Sequence, residues 1–321
     1  MLKSLQEKVL SGQEIDKGEA LQLVNAPLEE LCEAADEIRR HFCQDAFDIC
    51  TIINAKSGRC SENCQYCAQS ACYKTDVEEY PLLPAEKVVE AAKYNAEHGV
   101  LRFSLVTSGK RLSDKEVDAA CEIIRQIAAE CDISICASFG LLTEAQFSRL
   151  KAAGLSRVHN NLETSRNFFP QICTSHSFDE KIAAIQAAQK AGLSVCSGGL
   201  MGLGESMEDR IDMAFQLREL GVTSVPVNML NPIPGTPLEH NKLLTNDEMR
   251  RICAIFRFIL PKAAIRLAGG RKLLGDSGRA CFQSGANAAI SGDMLTTTGE
   301  TIASDKQILS ELGYRRALLD E

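Results

Sequence analysis

Residues 177–200 read SFDEKIAAIQAAQKAGLSVCSGGL, and this stretch decides the fold. Ser177 is suited to cap a helix N-terminus, the following run is amphipathic, and Gly192 is suited to stop it. A short β-branched run, Ser194–Leu200, comes next, so the order is helix, turn, strand. The same unit stands just upstream, where TEAQFSRLKAAG (143–154) leads into a strand at Arg157–Leu162. AAGLSRV and KAGLSVC are two copies of one junction.

Working outward, strands are predicted at 47–55, 101–106, 133–138, 157–162, 194–200, 224–230, 264–268 and 288–290, eight in all. Between them lie amphipathic runs such as PAEKVVEAAKYNAEHG, SDKEVDAACEIIRQIAAEC, SMEDRIDMAFQLRELG and TNDEMRRICAIFRFILP. Regular alternation with right-handed crossovers demands a parallel sheet, and eight units close a (β/α)8 barrel of the TIM type. The expected class is therefore α/β, with residues 1–45 as an N-terminal helical extension and 46–321 as the barrel. An open doubly wound sheet is the competing architecture. No G-x-G-x-x-G follows the first strand, and Gly202-Leu203-Gly204 reads as a turn after a strand.

A chain of 321 residues with 45% hydrophobic residues supplies a large core. The net charge of −8, with no basic cluster, argues against nucleic acid or an anionic membrane as partner. The first thirty residues lack the apolar core of a signal peptide, and no run of eighteen apolar residues occurs. A cytoplasmic protein acting on a small molecule is expected. Fourteen cysteines then point to metal or redox chemistry more than to disulfides. Cys32, Cys121, Cys131 and Cys253 fall on helical patterns and read as core residues.

Just beyond the first strand stands Cys60-Ser-Glu-Asn-Cys64-Gln-Tyr-Cys67, at the barrel face where such folds place their chemistry. Three thiolates from one loop can hold three corners of a cuboidal [4Fe-4S] cluster. Structural zinc sites need four ligands, and no second pair follows. The C-x3-C-x2-C spacing resembles that of the radical S-adenosylmethionine (SAM) enzymes, in which the fourth iron chelates SAM and an electron from the cluster cleaves it to a 5′-deoxyadenosyl radical. Tyr66, between the second and third cysteines, could pack on the adenine or simply fill space.

CSENCQYCAQS with YKT, VHNNLETS, VCSGGLMGLGE, VPVNML, GTPL and RLAGGR together resemble the biotin synthase family. That resemblance implies a homodimeric barrel enzyme that inserts sulfur into dethiobiotin, with a flavodoxin or ferredoxin as electron donor. It places Asn161 and Glu163 on the SAM ribose, His176 near the SAM carboxylate, and His159 and Asn228 near dethiobiotin. An asparagine at a strand end can equally satisfy backbone groups.

The resemblance also implies an auxiliary iron–sulfur cluster as sulfur source. Cys136, Cys196 and Arg266 match three of its ligands, but the expected cysteine in the second strand is Ser104 here. A serine hydroxyl is a poor ligand for such a cluster. Cys50 stands instead where the family usually has serine. Cys50, Cys136, Cys196 and Arg266 fall on the first, third, fifth and seventh strands, and alternate strands of a TIM barrel contribute one layer of inward side chains. These four are thus expected to meet on the barrel axis, with Arg266 as ligand or neighbouring cation. Three thiolates suit either a [2Fe-2S] cluster or a four-iron cluster carrying an extra sulfide. The methylornithine synthases and hydrogenase maturases are the nearest alternatives within the class, and a non-catalytic metal scaffold the alternative outside it.

Overall fold

The helix starts follow the caps. Ser113, Thr143, Ser177, Ser206 and Thr245 each accept from the backbone N–H three residues on, and Glu116, Gln146, Glu180, Asp209 and Glu248 return a bond to the cap backbone. These reciprocal capping boxes satisfy N–H groups that the first helical turn leaves orphaned. The structure, a computed structural model, describes residues 1–319.

Among the described residues ten strands are present: β1 (Ala46–Lys56), β2 (Arg102–Thr107), β3 (Ser134–Ser138), β4 (Arg157–His159), β5 (Ser194–Cys196), β6 (Gly199–Met201), β7 (Ser224–Met229), β8 (Ala264–Leu267), β9 (Ala288–Ser291) and β10 (Arg315–Arg316). All their pairings are parallel, and the β1–β9 pairing closes the ring. Two elements exceed the predicted eight. The fifth stave is divided into β5 and β6, because Pro226 on β7 has no N–H to offer and Gly198 runs so close that a Cβ there would lie 2.0 Å from the Pro226 carbonyl oxygen. The tenth strand lies beside the start of β1, at Ala46 and Phe47.

The registers fix which side chains share a level. Cys50 pairs with Arg102 and Arg102 with Ser134, and two residues further along β3 is Cys136. Cys136 pairs with Arg157 and Arg157 with Ser194; two residues on is Cys196. Cys196 leads through Ser224 to Ala264 and, two residues on, to Arg266. Arg266 leads through Ala288 to Asp48, and two residues on is Cys50 again. Four double steps of two residues give the shear of about eight that defines this barrel. The expected layer of Cys50, Cys136, Cys196 and Arg266 is therefore a consequence of closure.

Outside the ring, the helix Asn246–Ile259 is buried along most of its length, Ile252, Ile255, Phe256, Phe258 and Ile259 included. It lies between the barrel and the N-terminal helix Leu28–Cys43, tied to the preceding turn by Arg251, which donates to the carbonyls of Val24 and Ala26 at 3.1 and 2.7 Å. Each such buried side chain contributes roughly 1.5–3 kcal/mol, which explains why this helix is apolar on more than one face. Among the described residues, no helix is long and apolar enough to cross a membrane.

Candidate active site

A cavity of about 390 Å³ opens at the C-terminal ends of the strands. It is lined by every residue expected to do chemistry: Cys60, Cys64, Cys67 and Tyr66 at the mouth; His159, Asn161, Glu163, His176 and Asn228 on the walls; Cys50, Cys136, Cys196 and Arg266 deepest. Ser104 also lines it.

The cysteine loop is held by its own backbone. Cys60 N–H donates to the Gln69 carbonyl at 3.0 Å, Ala71 N–H to the Cys60 carbonyl at 2.8 Å, and Cys67 N–H to the Cys64 carbonyl at 3.0 Å. Gln69, itself buried, accepts from Gly58 N–H at 3.1 Å. Three half-buried thiols on one tight loop, facing one cavity, are a donor set that fits a [4Fe-4S] cluster with one corner left for SAM. Burial is the largest influence on Cys67 and pushes its thiol up to about 11 without iron.

The walls are built at the break between β5 and β6. Glu163 adopts φ of +73°, uncommon for a residue with a side chain. The turn lets its backbone carbonyl accept from Leu200 N–H at 2.9 Å while its own N–H donates to Gly198 at 3.0 Å. Asn161 Oδ1 accepts from Gly198 N–H at 3.1 Å, and its Nδ2 lies 3.4 Å from Glu163 Oε2. Asn228 spans the neighbouring gap, donating to the Gly199 carbonyl at 3.0 Å and accepting from Gly269 N–H at 2.9 Å. Both amides thus satisfy backbone groups and still keep one N–H and one lone pair. Tyr66 is hydrogen-bonded to Glu163, and burial above all holds its hydroxyl protonated.

At the deep end, Arg266 Nη1 donates to Cys50 Sγ at 3.2 Å and to the carbonyls of Asp48 and Ala289 at 3.1 Å. Its Nη2 lies 3.1 Å from Asp48 Oδ1, and Arg102 and Arg157 each approach Asp48 Oδ2 at 3.9 Å. Burial opposes ionisation of Asp48, but Arg266, Arg102 and Arg157 together hold it below the usual carboxylate range. Arg157 also donates to the Leu319 carbonyl at 3.2 Å, so the C-terminal segment covers the floor.

The three thiols differ. Burial pushes Cys50 up to about 12 and raises Cys136. Burial acts on Cys196 in the same sense, but its hydrogen bond with His159 and the charges of Arg266 and Arg157 bring it down to about 7. Ser224 Oγ donates to Cys196 Sγ at 3.4 Å. Ser104, level with Cys136 on the adjacent strand, is hydrogen-bonded to its thiol. Three soft donors and a cation on one buried layer are a set suited to an iron–sulfur cluster.

His176 is placed differently from a side chain facing only the cavity. Its Nδ1 lies 2.6 Å from Glu62 Oε2, and Cys173 stands beside it, with Sγ 3.3 Å from Nδ1. Burial disfavours its charge, but the bonds to Cys173 and Glu62 raise its pKa. Glu62 and the floor residues Asp48, Arg102 and Arg157 were not singled out from sequence, whereas Cys173 was, with Cys43, Cys72 and Cys281, as a further candidate ligand outside the predicted strands. Alternation from Cys50 puts Asp48 inside β1, a legible signal; the approach of Cys173 to Cys64 carries none, because only the fold brings them together.

A parallel barrel with a three-thiolate loop beyond its first strand defines a radical SAM enzyme. Residues 55–217 match the radical SAM superfamily, and residues 226–315 match the biotin and thiamin synthesis associated domain. The biotin synthase of Brachyspira hyodysenteriae is 59% identical over 320 residues, covering 100% of this chain and 96% of the relative. Biotin synthase 2 of Corynebacterium diphtheriae is 60% identical, covering 98% and 95%. The chain belongs to the biotin synthase family, radical SAM enzymes that insert sulfur into dethiobiotin. Among solved structures, methylornithine synthase superposes with a TM-score of 0.85 at 22% identity, covering 98% of this chain and 97% of that one. The [FeFe]-hydrogenase maturase of Carboxydothermus hydrogenoformans gives 0.82 at 19% identity, covering 98% and 79%. These two likenesses share the fold; the sequence goes with the biotin synthases.

Proposed function

We propose that this chain makes biotin from dethiobiotin with sulfur delivered from an auxiliary iron–sulfur cluster bound by Cys50, Cys136 and Cys196. The observation that carries this reading is the closed register of the barrel, which puts those three thiols and Arg266 on one layer at the inner end of the cavity. When bound, SAM and the cluster at Cys60, Cys64 and Cys67 supply the 5′-deoxyadenosyl radical, and the inner cluster supplies the sulfur.

The chain's own residues orient and enclose. Asn161, Glu163 and Tyr66 hold the SAM ribose and adenine, His176 faces the SAM carboxylate, and Asn228 and His159 turn polar groups to the ureido ring of dethiobiotin. Arg266 is committed to Asp48 and donates to Cys50 sulfur. That favours a cation beside the inner cluster over a fourth ligand, which would need a deprotonated guanidine. The cluster is a [2Fe-2S] unit or a four-iron unit with an added sulfide.

Four further parts belong to this reading: the family resemblance supports a flavodoxin or ferredoxin as electron donor and a homodimer, and the sequence pattern supports a cytoplasmic setting and residues 1–45 as an N-terminal helical extension of the barrel at 46–321.

The test is Mössbauer spectroscopy with iron and sulfide counts on anaerobically purified wild-type and Cys50→Ala protein. Auxiliary iron should vanish in the variant while the loop cluster and SAM cleavage persist, and the wild-type iron count separates the two nuclearities. The double exchange Cys50→Ser with Ser104→Cys should recover auxiliary iron that Cys50→Ser alone loses. An undiminished auxiliary signal in Cys50→Ala sinks the assignment.

A further inference from the structure

The loop cysteine Cys64 faces, across 109 residues of chain, a thiol that sulfur insertion does not use. Cys173 follows the short helix Phe169–Ile172, is buried, and does not line the cavity. Its Sγ lies 3.7 Å from Cys64 Sγ. Cys64 is half-buried and lines the cavity, so a small solute reaches it in the cluster-free chain, whereas Cys173 stands shielded beside it.

The backbone around the two thiols is already joined. Gln65 N–H donates to the Ile172 carbonyl at 2.9 Å, and these bonded groups are next in sequence to Cys64 and to Cys173. Asn63 N–H donates to Ser175 Oγ at 3.0 Å and its Nδ2 to Thr174 Oγ1 at 2.7 Å, while its Oδ1 accepts from the N–H groups of Thr174 and Ser175, both at 3.0 Å. Residues 63–65 are thus clamped against 172–175 with both cysteines inside the clamp. A disulfide needs two backbones held side by side, with α-carbons about 4.4–6.8 Å apart and sulfurs at about 2.0 Å. A peptide hydrogen bond immediately beside both residues gives that approach of the backbones, and rotation about the Cα–Cβ bonds brings the sulfurs together.

We propose that Cys64 and Cys173 form a reversible disulfide when the cluster-free chain meets hydrogen peroxide, and that this bridge keeps Cys64 recoverable as a cluster ligand. The Cys64 sulfur attacks the peroxide, the O–O bond breaks, and Cys64 becomes a sulfenic acid with release of water. The Cys173 sulfur then attacks the Cys64 sulfur, the S–O bond breaks, and the departing hydroxide leaves as water with the Cys173 proton. Two thiols lose two electrons, and one peroxide becomes two waters. A sulfenic acid with no thiol beside it goes on to sulfinic and sulfonic acids, which thiol reductants do not reverse. Cys64 cannot serve the bridge and the [4Fe-4S] cluster together, so the two states exclude each other. The inference is independent of the source of the inserted sulfur.

The experiment treats the full-length, reduced, cluster-free chain with a small excess of hydrogen peroxide under anaerobic conditions. Trypsin digestion without reductant should yield peptide 60–74 joined to peptide 167–181, with fragmentation putting the link at Cys64 and Cys173. Dithiothreitol should separate the two peptides and return both thiols. In a Cys60→Ala/Cys67→Ala background, which removes the other ligand thiols of the loop, the link should persist. Adding Cys173→Ala to that background should turn Cys64 into sulfinic and sulfonic acid, read as added oxygen that survives dithiothreitol. Cys173→Ala alone, never exposed to peroxide, should rebuild the [4Fe-4S] cluster as wild type does, which shows that the variant folds. A wild-type link among Cys60, Cys64 and Cys67 in place of Cys173 overturns the proposal. So does equal irreversible oxidation of Cys64 with and without Cys173.

Discussion

The two cysteine sets of this barrel are specified in opposite ways. Cys60, Cys64 and Cys67 lie within eight residues of one another, and a tight loop with its own hydrogen bonds brings them together. Cys50, Cys136 and Cys196 are spread over three strands, and only the closure of the sheet assembles them. The first set is half-buried at the mouth; the second is buried above Asp48 and its three arginines. A site made by local spacing can be carried by many barrels, whereas a site made by register belongs to one.

The strongest break in this comparison is at the loop. Cys67→Ala should reduce anaerobic 5′-deoxyadenosine formation to the level of cluster-free protein, because two thiolates cannot hold the cube with a SAM corner. The inner set should be untouched, with auxiliary iron still visible by Mössbauer spectroscopy. Loss of both signals together would show that the inner layer depends on the loop for its shape.

This contrast also explains what could be read from sequence. The loop needed only spacing. For the inner layer the family resemblance named Cys136, Cys196 and Arg266, and the strand count put Cys50 with them on alternate strands; the register that makes the four meet came only with the structure. The division of the fifth stave was not legible, since it follows from the approach of Gly198 to Pro226 across strands. Nor was the pairing of Cys64 with Cys173, whose 109-residue separation carries no local pattern. Asp48 was within reach, two positions before Cys50, but an acid in a strand has meaning only once three arginines are known to face it.

That acid is the next place to press. Asp48 is wholly buried against Arg266, Arg102 and Arg157, and removing the charge of one partner in a buried ion cluster leaves the others uncompensated. Asp48→Asn should lower the unfolding free energy by about 3–5 kcal/mol, read from urea denaturation. It should also loosen Arg266 at Cys50, so that auxiliary iron is lost faster to a chelator while the loop cluster is retained. A loss of stability under about 1 kcal/mol would mean that the arginines are held by their other contacts.

The smallest effect lies where the two regions are tied together. Lys56, the last residue of β1 before the cluster loop, lies 2.6 Å from Glu116 Oε1, while Glu116 Oε2 accepts from Ser113 N–H at 2.8 Å in a capping box. Burial works against the Glu116 carboxylate, yet Lys56 and Ser113 bring its pKa down to about 2. A carboxylate depressed below its unfolded value of about 4.3 stabilises the fold above that pH and loses the contribution as pH falls toward the folded value. Both side chains are about a quarter exposed, so solvent screening limits the effect to about 1 kcal/mol. Glu116→Gln should therefore cost about that much at neutral pH, and the gap from wild type should shrink steadily between about pH 5 and pH 2. A gap that stays constant with pH would assign the contribution to packing and the helix cap.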